Sequence, residues 1–168
     1  PFGDALIFDA AAHDFLIGKP IPSDFWYKPL YTVFLALLHS FSGENYEILT
    51  FFQFTFLACI PIFVYLIGSL MGNRTAGIVV ALLVIVRERN GIALSNVIQV
   101  SHLKLLMSDV FSLALVGLLV WVLLRWLENP SVRRNMPLLL GGVLGFLTLT
   151  RGHAILLFPL ILVVLVAV

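Results

Sequence analysis

The sequence predicts an all-α fold: a polytopic transmembrane helical protein with further amphipathic helices at the membrane surface. Of its 168 residues, 61% are hydrophobic and 11% are charged, whereas an ordinary soluble domain has about 25% charged residues. The mean hydropathy is +1.07. Several apolar stretches approach the roughly 20 residues with which a helix crosses the hydrocarbon core of a bilayer.

The sequence of residues 1–45 predicts an external segment with two short juxtamembrane helices. Apolar residues recur at helical spacing over Asp4–Gly18, which predicts an amphipathic helix lying in the interface. Its apolar face would carry Leu6, Ile7, Ala10, Ala11 and Phe15. The polar residues expected on its solvated side are Asp9, His13 and Asp14. The stretch Pro29–Phe41 is apolar but short for a span, which predicts a second interfacial helix.

The apolar stretches within residues 46–168 predict a transmembrane bundle of about five spans. The stretches are Tyr46–Met71, Thr75–Val86, Val110–Leu127, Met136–Thr150 and His153–Val168. The second stretch runs into Arg87-Glu88-Arg89-Asn90. Its helix therefore either continues to about Ser95 with charges at bilayer depth or ends early. The chain begins at Pro1 and stops within an apolar stretch, which predicts a fragment of a longer protein.

Basic residues in the short loops predict the orientation. The loop 128–135 carries Arg133 and Arg134, with Arg125 beside it, and the positive-inside rule places it in the cytoplasm. Counting helices from this loop puts the segment 1–45 outside. The plasma (inner) membrane is the expected location. The polar residues expected together on its outer, periplasmic side are Asp4, Lys28, Asp109 and Arg151.

Each of these polar residues admits a structural and a functional interpretation. Asp4 and Asp109 suit helix N-caps, and Lys28, which follows two aromatic residues, suits a headgroup-level anchor. Arg151 could be an ordinary loop arginine. The cluster Arg87–Asn90 is either a self-neutralised helix end or the polar lining of a substrate cavity.

Several function classes are excluded by the composition and the motifs. The net charge of +1 gives no indication of nucleic-acid binding, and the single cysteine, Cys59, excludes an intrachain disulfide. The sequence contains no Gly-rich phosphate loop, no Cys/His pattern of metal ligands and no Gly-x-Ser-x-Gly elbow. We therefore expect no soluble-enzyme chemistry.

A series of short motifs follows one order along the chain. The series is Asp4, Ala12, Gly18, Lys28-Pro29-Leu30-Tyr31, Ser42-Gly43, Leu70-Met71-Gly72-Asn73-Arg74, Ser108-Asp109 and Leu149-Thr150-Arg151. It resembles the membrane-embedded GT-C glycosyltransferases. The closest resemblance is to the branch with the protein O-mannosyltransferases and the aminoarabinose transferase of lipid A, and it covers essentially the whole chain.

The resemblance implies the amino-terminal half of such an enzyme, with the first external loop holding the catalytic acid. The donor would be a polyprenyl-phosphate-linked sugar, and the acceptor, whether protein, lipid or glycan, stays open. By this resemblance Asp4 is the catalytic base and Lys28 binds the donor phosphate. Further donor-binding residues would be His102, Lys104 and Arg151. The polar residues of the cavity would be Arg87, Glu88 and Asp109.

The sequence also departs from the family pattern. Ala5 follows Asp4 where many members carry a second acid. Either Asp9 or Asp109 supplies that acid, which leaves a divalent metal cofactor open, or no metal is held. Two other classes remain as alternatives: a transporter or flippase half, which would place ions on broken helices at the bilayer midplane, and a non-catalytic membrane scaffold.

Overall fold

The computed structural model describes residues 4–20, 28–43, 45–94 and 108–167, and every regular element in these ranges is a helix. The α-helices are α1 (Asp4–Leu16), α2 (Pro29–Ser42), α3 (Tyr46–Met71), α4 (Arg74–Leu94), α5 (Ser108–Glu128), α6 (Met136–Thr150) and α7 (Leu157–Ala167). A short 3₁₀ helix, Gly152–Leu156, joins α6 to α7. The all-α prediction is confirmed for the described part of the chain.

The predicted helices and the observed ones agree closely. Two of them, α3 and α6, have the predicted bounds, and Pro29 opens α2 as a residue without an N–H can do at a helix start. The open question at the cluster Arg87–Asn90 is decided in favour of continuation, because α4 runs through these residues to Leu94.

Two helices within the described ranges, α3 and α5, are long and apolar enough to cross a membrane. Only 6% of the most apolar window of α3, and 33% of that of α5, is buried inside the protein. The core helix of a soluble protein would be mostly buried. The shorter apolar helices are Pro29–Ser42, Met136–Thr150 and Gly152–Val166, so the number of about five spans stays a prediction.

Helices α3 and α4 form a tight antiparallel hairpin. The side chain of Asn73 accepts a hydrogen bond from the Ala76 N–H at 2.8 Å and so caps the start of α4. A Cβ atom on Gly68 would lie 3.0 Å from the Gly77 Cα. The two backbones therefore approach each other at these glycines, as small residues allow in apolar helix packing.

Ring contacts and close approaches show that α3 and α5 run in the same direction. The rings of Phe56 and Phe111 meet at 4.7 Å, and a Cβ on Gly117 would lie 2.9 Å from the Phe63 Cβ. Phe56 is ten residues into α3 and Phe111 is three residues into α5, so α3 begins about 10 Å before α5 at the helical rise.

Helix α6 returns antiparallel to α5. At one end, Arg151 after α6 pairs with Asp109 in the first turn of α5. At the other end, the Glu128 carboxylate accepts hydrogen bonds from Arg125 at 2.7 Å and Arg133 at 3.0 Å. The starts of α3 and α5 and the end of α6 therefore share one end of the bundle, which we call the α5-start end.

The pair α1–α2 packs at this α5-start end. Phe34 of α2 stacks on Phe111 at 5.1 Å and meets Phe56 edge-on at 5.5 Å. A cluster of buried residues joins the pair to the first turn of α3. Its members are Ala5, Phe8, Ala12, Tyr31, Leu35, Ala36, Leu38 and Leu49. The two short helices thus cover the part of α3 that extends beyond α5.

We predict that Gly77→Ala destabilises the α3–α4 hairpin by about 1–3 kcal/mol, because the new methyl group overpacks the contact. A Cβ at position 77 would lie 2.6 Å from the Tyr65 carbonyl oxygen. The matched control is Gly91→Ala in the same helix, where a Cβ meets nothing within 4 Å. The control should be neutral or stabilising by up to about 1 kcal/mol. Thermal unfolding in one detergent measures both, and equal midpoints would contradict the contact.

Candidate functional site

Helix α1 is apolar on two faces. The face packed on α2 buries the small side chains Ala5 and Ala12 together with Phe8. Large apolar side chains of the opposite face, such as Leu6 and Ile7, are about half exposed, at 55% and 47%. Short alanines let α1 and α2 approach closely, so the large residues turn outward.

Asp9 lies on the packed face of α1, and its prediction as a solvated-face residue is wrong. Its residue exposure is 5%. The physical reason is hydrogen bonding: His39 Nε2 lies 2.7 Å from Asp9 Oδ1, and the Tyr46 hydroxyl donates to Asp9 Oδ2 at 2.7 Å. A carboxylate can be buried when both of its oxygens are satisfied in this way.

The two ring nitrogens of His39 both face oxygen atoms. Nδ1 lies 2.8 Å from the Gly43 carbonyl oxygen, and a carbonyl can only accept, so Nδ1 carries a hydrogen and donates it. Nε2 faces Asp9 Oδ1. One proton must then lie between Nε2 and this carboxylate, either on the nitrogen as an imidazolium–carboxylate pair or on the oxygen.

His13 completes a cluster of three potential metal ligands with Asp9 and His39. The His13 ring centroid is 4.4 Å from that of His39, and one ligand atom from each of the three residues lies within 4.8 Å of the others. Local sequence patterns do not reveal this cluster, because His39 is on another helix. The detectable signal was the i, i+4 spacing of Asp9 and His13, which puts both on one helix face.

Lys28 lies directly before α2, at its N-cap position. Its ammonium nitrogen is 4.8 Å from the centroid of the Phe8 ring, within the range of a cation–π contact. Phe8 in turn meets Tyr31 edge-on at 5.6 Å. The structure therefore holds Lys28 against α1, the helix that begins at Asp4.

Asp109 and Arg151 are brought together, as an ion pair between Arg151 Nη1 and Asp109 Oδ1 at 2.5 Å. Their side chains are 33% and 51% exposed, respectively. Asp109 lies inside the first turn of α5, which begins at Ser108. Its carboxylate contacts Arg151 at the end of α6, so we interpret Asp109 as an ion-pair partner and not as a helix N-cap. A guanidinium has five N–H donors in a fixed fork, and Asp109 Oδ1 takes one of them.

Tyr31 is a fully buried member of the cluster that joins α1 and α2 to α3. Burial raises the pKa of its hydroxyl above the ordinary value, and the negative charges of Asp109 and Asp9 raise it further, whereas a hydrogen bond from Gln53 acts in the opposite direction. The Gln53 amide donates to the Tyr31 oxygen at 3.4 Å. Tyr31 therefore stays a neutral phenol, and both carboxylates lie near enough to it to act on its ionisation.

Arg87 and Glu88 behave differently from each other. Their side chains are 3.8 Å apart, and Arg87 is 82% exposed. Glu88 and Arg89 line a groove of about 450 Å³ between α3 and α4, whose other lining residues are apolar. The remaining members of the lining are Phe54, Leu57, Ala58, Pro61, Val84, Ile85 and Ile92. Of these two residues, both predicted to line a cavity, Glu88 lines this groove and Arg87 does not.

Three of the predicted site residues are not described at the level of their side chains. Asp4 is the first residue of α1, so the position of its backbone is known. The side chain of Asp4 lies outside the described part of the chain. His102 and Lys104 lie in the segment 95–107, outside the described residues. Of the remaining predicted residues, Lys28, Asp109 and Arg151 belong to the α5-start end, and Arg87 and Glu88 belong to α4.

Comparisons with known proteins leave the chain without a match. No family model, no curated protein and no solved structure matches it.

We predict that Tyr46→Phe lowers the free energy of unfolding by about 2 kcal/mol, the range for hydrogen bonds to charged groups. The change removes a donor from the buried Asp9 carboxylate and preserves the ring. The matched control is Tyr65→Phe, because the described part of the chain shows no hydrogen bond at that hydroxyl. Thermal unfolding in detergent measures both, and a control as destabilised as Tyr46→Phe would contradict the assignment.

Proposed function

We propose that the chain belongs to an integral membrane glycosyltransferase of the GT-C type, which transfers a sugar from a polyprenyl phosphate to an acceptor outside the cell. The proposal is supported most by one observation. Lys28 and Arg151, both expected to bind a donor phosphate, belong to the α5-start end, where α1 and α2 pack on the bundle.

The membrane location rests on outward apolar surface. Helix α3 has 26 residues and leaves nearly all of its apolar window outside the protein core. In water, exposed apolar surface costs about 25 cal/mol per Å². A chain with as much exposed apolar surface as α3 presents would therefore aggregate in water. A bilayer removes the cost, and the paired backbone of a helix suits the absence of water there.

The depth of the site suits a lipid-linked donor. A polyprenyl chain must stay in the hydrocarbon region while its phosphate stays at the headgroups. Helices α1 and α2 are too short to span and lie at an end of the bundle, where an interface would be. Outward side chains of α1, such as Leu6 and Ile7, would then face lipid.

The chemistry would be a single displacement. The acceptor oxygen attacks the anomeric carbon as Asp4 accepts the hydroxyl proton, and the bond from that carbon to the phosphate oxygen breaks. Polyprenyl phosphate leaves with the electron pair. Cations at the leaving oxygen stabilise the charge that develops there. Lys28 would act as a point charge, and Arg151, oriented by Asp109, would offer its remaining N–H donors.

We expect Asp4→Asn and Lys28→Met in the natural full-length protein to abolish or strongly reduce sugar transfer. Loss of a general base alone typically costs about 10²–10⁴-fold in rate. Matched controls are Asp14→Asn and Lys19→Met, because these two residues form an exposed ion pair with each other on the α1 side. Transfer from radiolabelled polyprenyl-phosphate sugars in membranes is the measurement. Activity of Asp4→Asn equal to wild type would remove Asp4 as the base.

The orientation makes a separate prediction. Single cysteines at positions 4, 28, 109 and 151, in a Cys59→Ala background, should react with an impermeant thiol reagent added from outside. A cysteine at position 134, in the basic loop, should react only after the membrane is permeabilised. If some of the first four positions react from outside and others only after permeabilisation, Asp4, Lys28, Asp109 and Arg151 cannot form one site. This conclusion would hold whatever the transfer assay gives.

A further inference from the structure

We infer that Asp9, His13 and His39 form a binding site for a divalent transition-metal ion of the zinc type. The inference is independent of the proposed sugar transfer. It rests on the geometry of the buried cluster alone. Only Asp9 among the three has a candidate place in the transfer reaction, as a second acid, and Asp4, Lys28 and Arg151 are not members of the cluster.

The donor set is the first argument. One carboxylate and two imidazoles are common ligands of zinc, and a three-residue set leaves a fourth tetrahedral position for water or another ligand. Asp9 and His13 have the i, i+4 spacing that places two ligands on one face of a helix. His39 comes from α2, so the metal would join two helices.

The distances are the second argument. The three ligand atoms already lie within 4.8 Å of one another. In a tetrahedral zinc site with bonds of about 2.0–2.1 Å, ligand atoms are about 3.3 Å apart. His39 Nε2 and Asp9 Oδ1, at 2.7 Å, would separate by about 0.6 Å to admit the ion, and His13 would move inward. Rotation of these side chains could supply such shifts without moving a helix.

The hydrogen bonds around the ligands are the third argument. A metal-bound histidine almost always donates its other N–H to a carbonyl or carboxylate, and a ligating carboxylate is itself hydrogen-bonded. These conditions hold for two of the three ligands: His39 Nδ1 lies 2.8 Å from the Gly43 carbonyl oxygen, and the Tyr46 hydroxyl donates to Asp9 Oδ2 at 2.7 Å. The bond to Gly43 fixes the tautomer that turns Nε2 toward Asp9.

Binding would replace a proton by a metal ion. Without the metal, one proton bridges His39 Nε2 and Asp9 Oδ1, as their separation requires. On binding, that proton leaves to solvent, the lone pair of Nε2 and the Asp9 carboxylate become ligands, and the ion keeps its +2 charge. The buried position, with His39 3% and Asp9 5% exposed, restricts water, and the half-buried His13 gives the route of entry.

Cobalt(II) is the probe that tests the site, since four-coordinate cobalt has strong visible ligand-field bands. The full-length protein, purified without a histidine tag and stripped with a chelator, should bind one Co²⁺ per chain with such bands. His13→Gln should weaken the binding by about 100-fold or more, beyond the 10–100-fold typical of outer hydrogen-bonding partners. The matched control His153→Gln, at an exposed histidine, should bind as wild type does.

A ligand exchange locates the ion even if His13→Gln misfolds. In a Cys59→Ala background, His13→Cys should add a sulfur-to-cobalt charge-transfer band, because a thiolate at position 13 would then coordinate the ion. Tyr46→Phe should weaken binding by about 10–100-fold without changing the shape of the bands. Absence of stoichiometric binding by the wild-type protein, or unchanged spectra in His13→Cys, would overturn the inference.

Discussion

The buried hydrogen-bonded group around Asp9 is the interaction on which the arrangement of the amino-terminal helices depends. It joins α1 through Asp9, α2 through His39 and α3 through Tyr46. A buried charge is tolerated only when it is paired and hydrogen-bonded, and removal of one partner from a buried pair typically costs about 3–5 kcal/mol. The three helices therefore have one mutual arrangement in which this carboxylate is satisfied.

The bundle itself follows a different constraint. The contact of α3 with α4 and that of α3 with α5 each use a glycine, Gly77 against Gly68 and Gly117 against Phe63, whereas α5 and α6 meet through buried leucine and valine side chains. Close approach at glycines is the packing expected where the surroundings are as apolar as the side chains, because close van der Waals contact then drives association. The ion pair of Asp109 and Arg151 joins the start of α5 to the end of α6. At the other end, Glu128 of α5 pairs with Arg125 of the same helix and with Arg133 of the loop that leads to α6.

Local sequence was sufficient for the helices and insufficient for the cluster. Length and apolar periodicity gave the bounds of α3 and α6, since these properties belong to each segment alone. The burial of Asp9 depends on His39, which is 30 residues away, and periodicity does not say which face of α1 meets α2. The sequence did allow a cavity lining at Arg87–Asn90, but it could not tell that Glu88 lines the α3–α4 groove while Arg87 is exposed, because that depends on how α4 packs on α3. The order of the helices placed Asp109 and Arg151 on the same side of the membrane, because antiparallel neighbours bring the start of one helix to the end of the next; their ion pair was not predicted.

An aromatic layer separates the cluster at Asp9 from the ion pair at Arg151 and also couples them. Phe8 contacts both Lys28 and Tyr31, and Phe34 contacts Tyr31 and Phe111. Because these rings are in direct contact, a shift of α1 that follows a change at Asp9 moves Phe8, and with it the ring on which Lys28 rests. The backbone of Asp4 moves with the same helix. The hydrogen bonds at Asp9 therefore bear on the position of Lys28 and of the start of α1, the two places at which the proposed transfer would act.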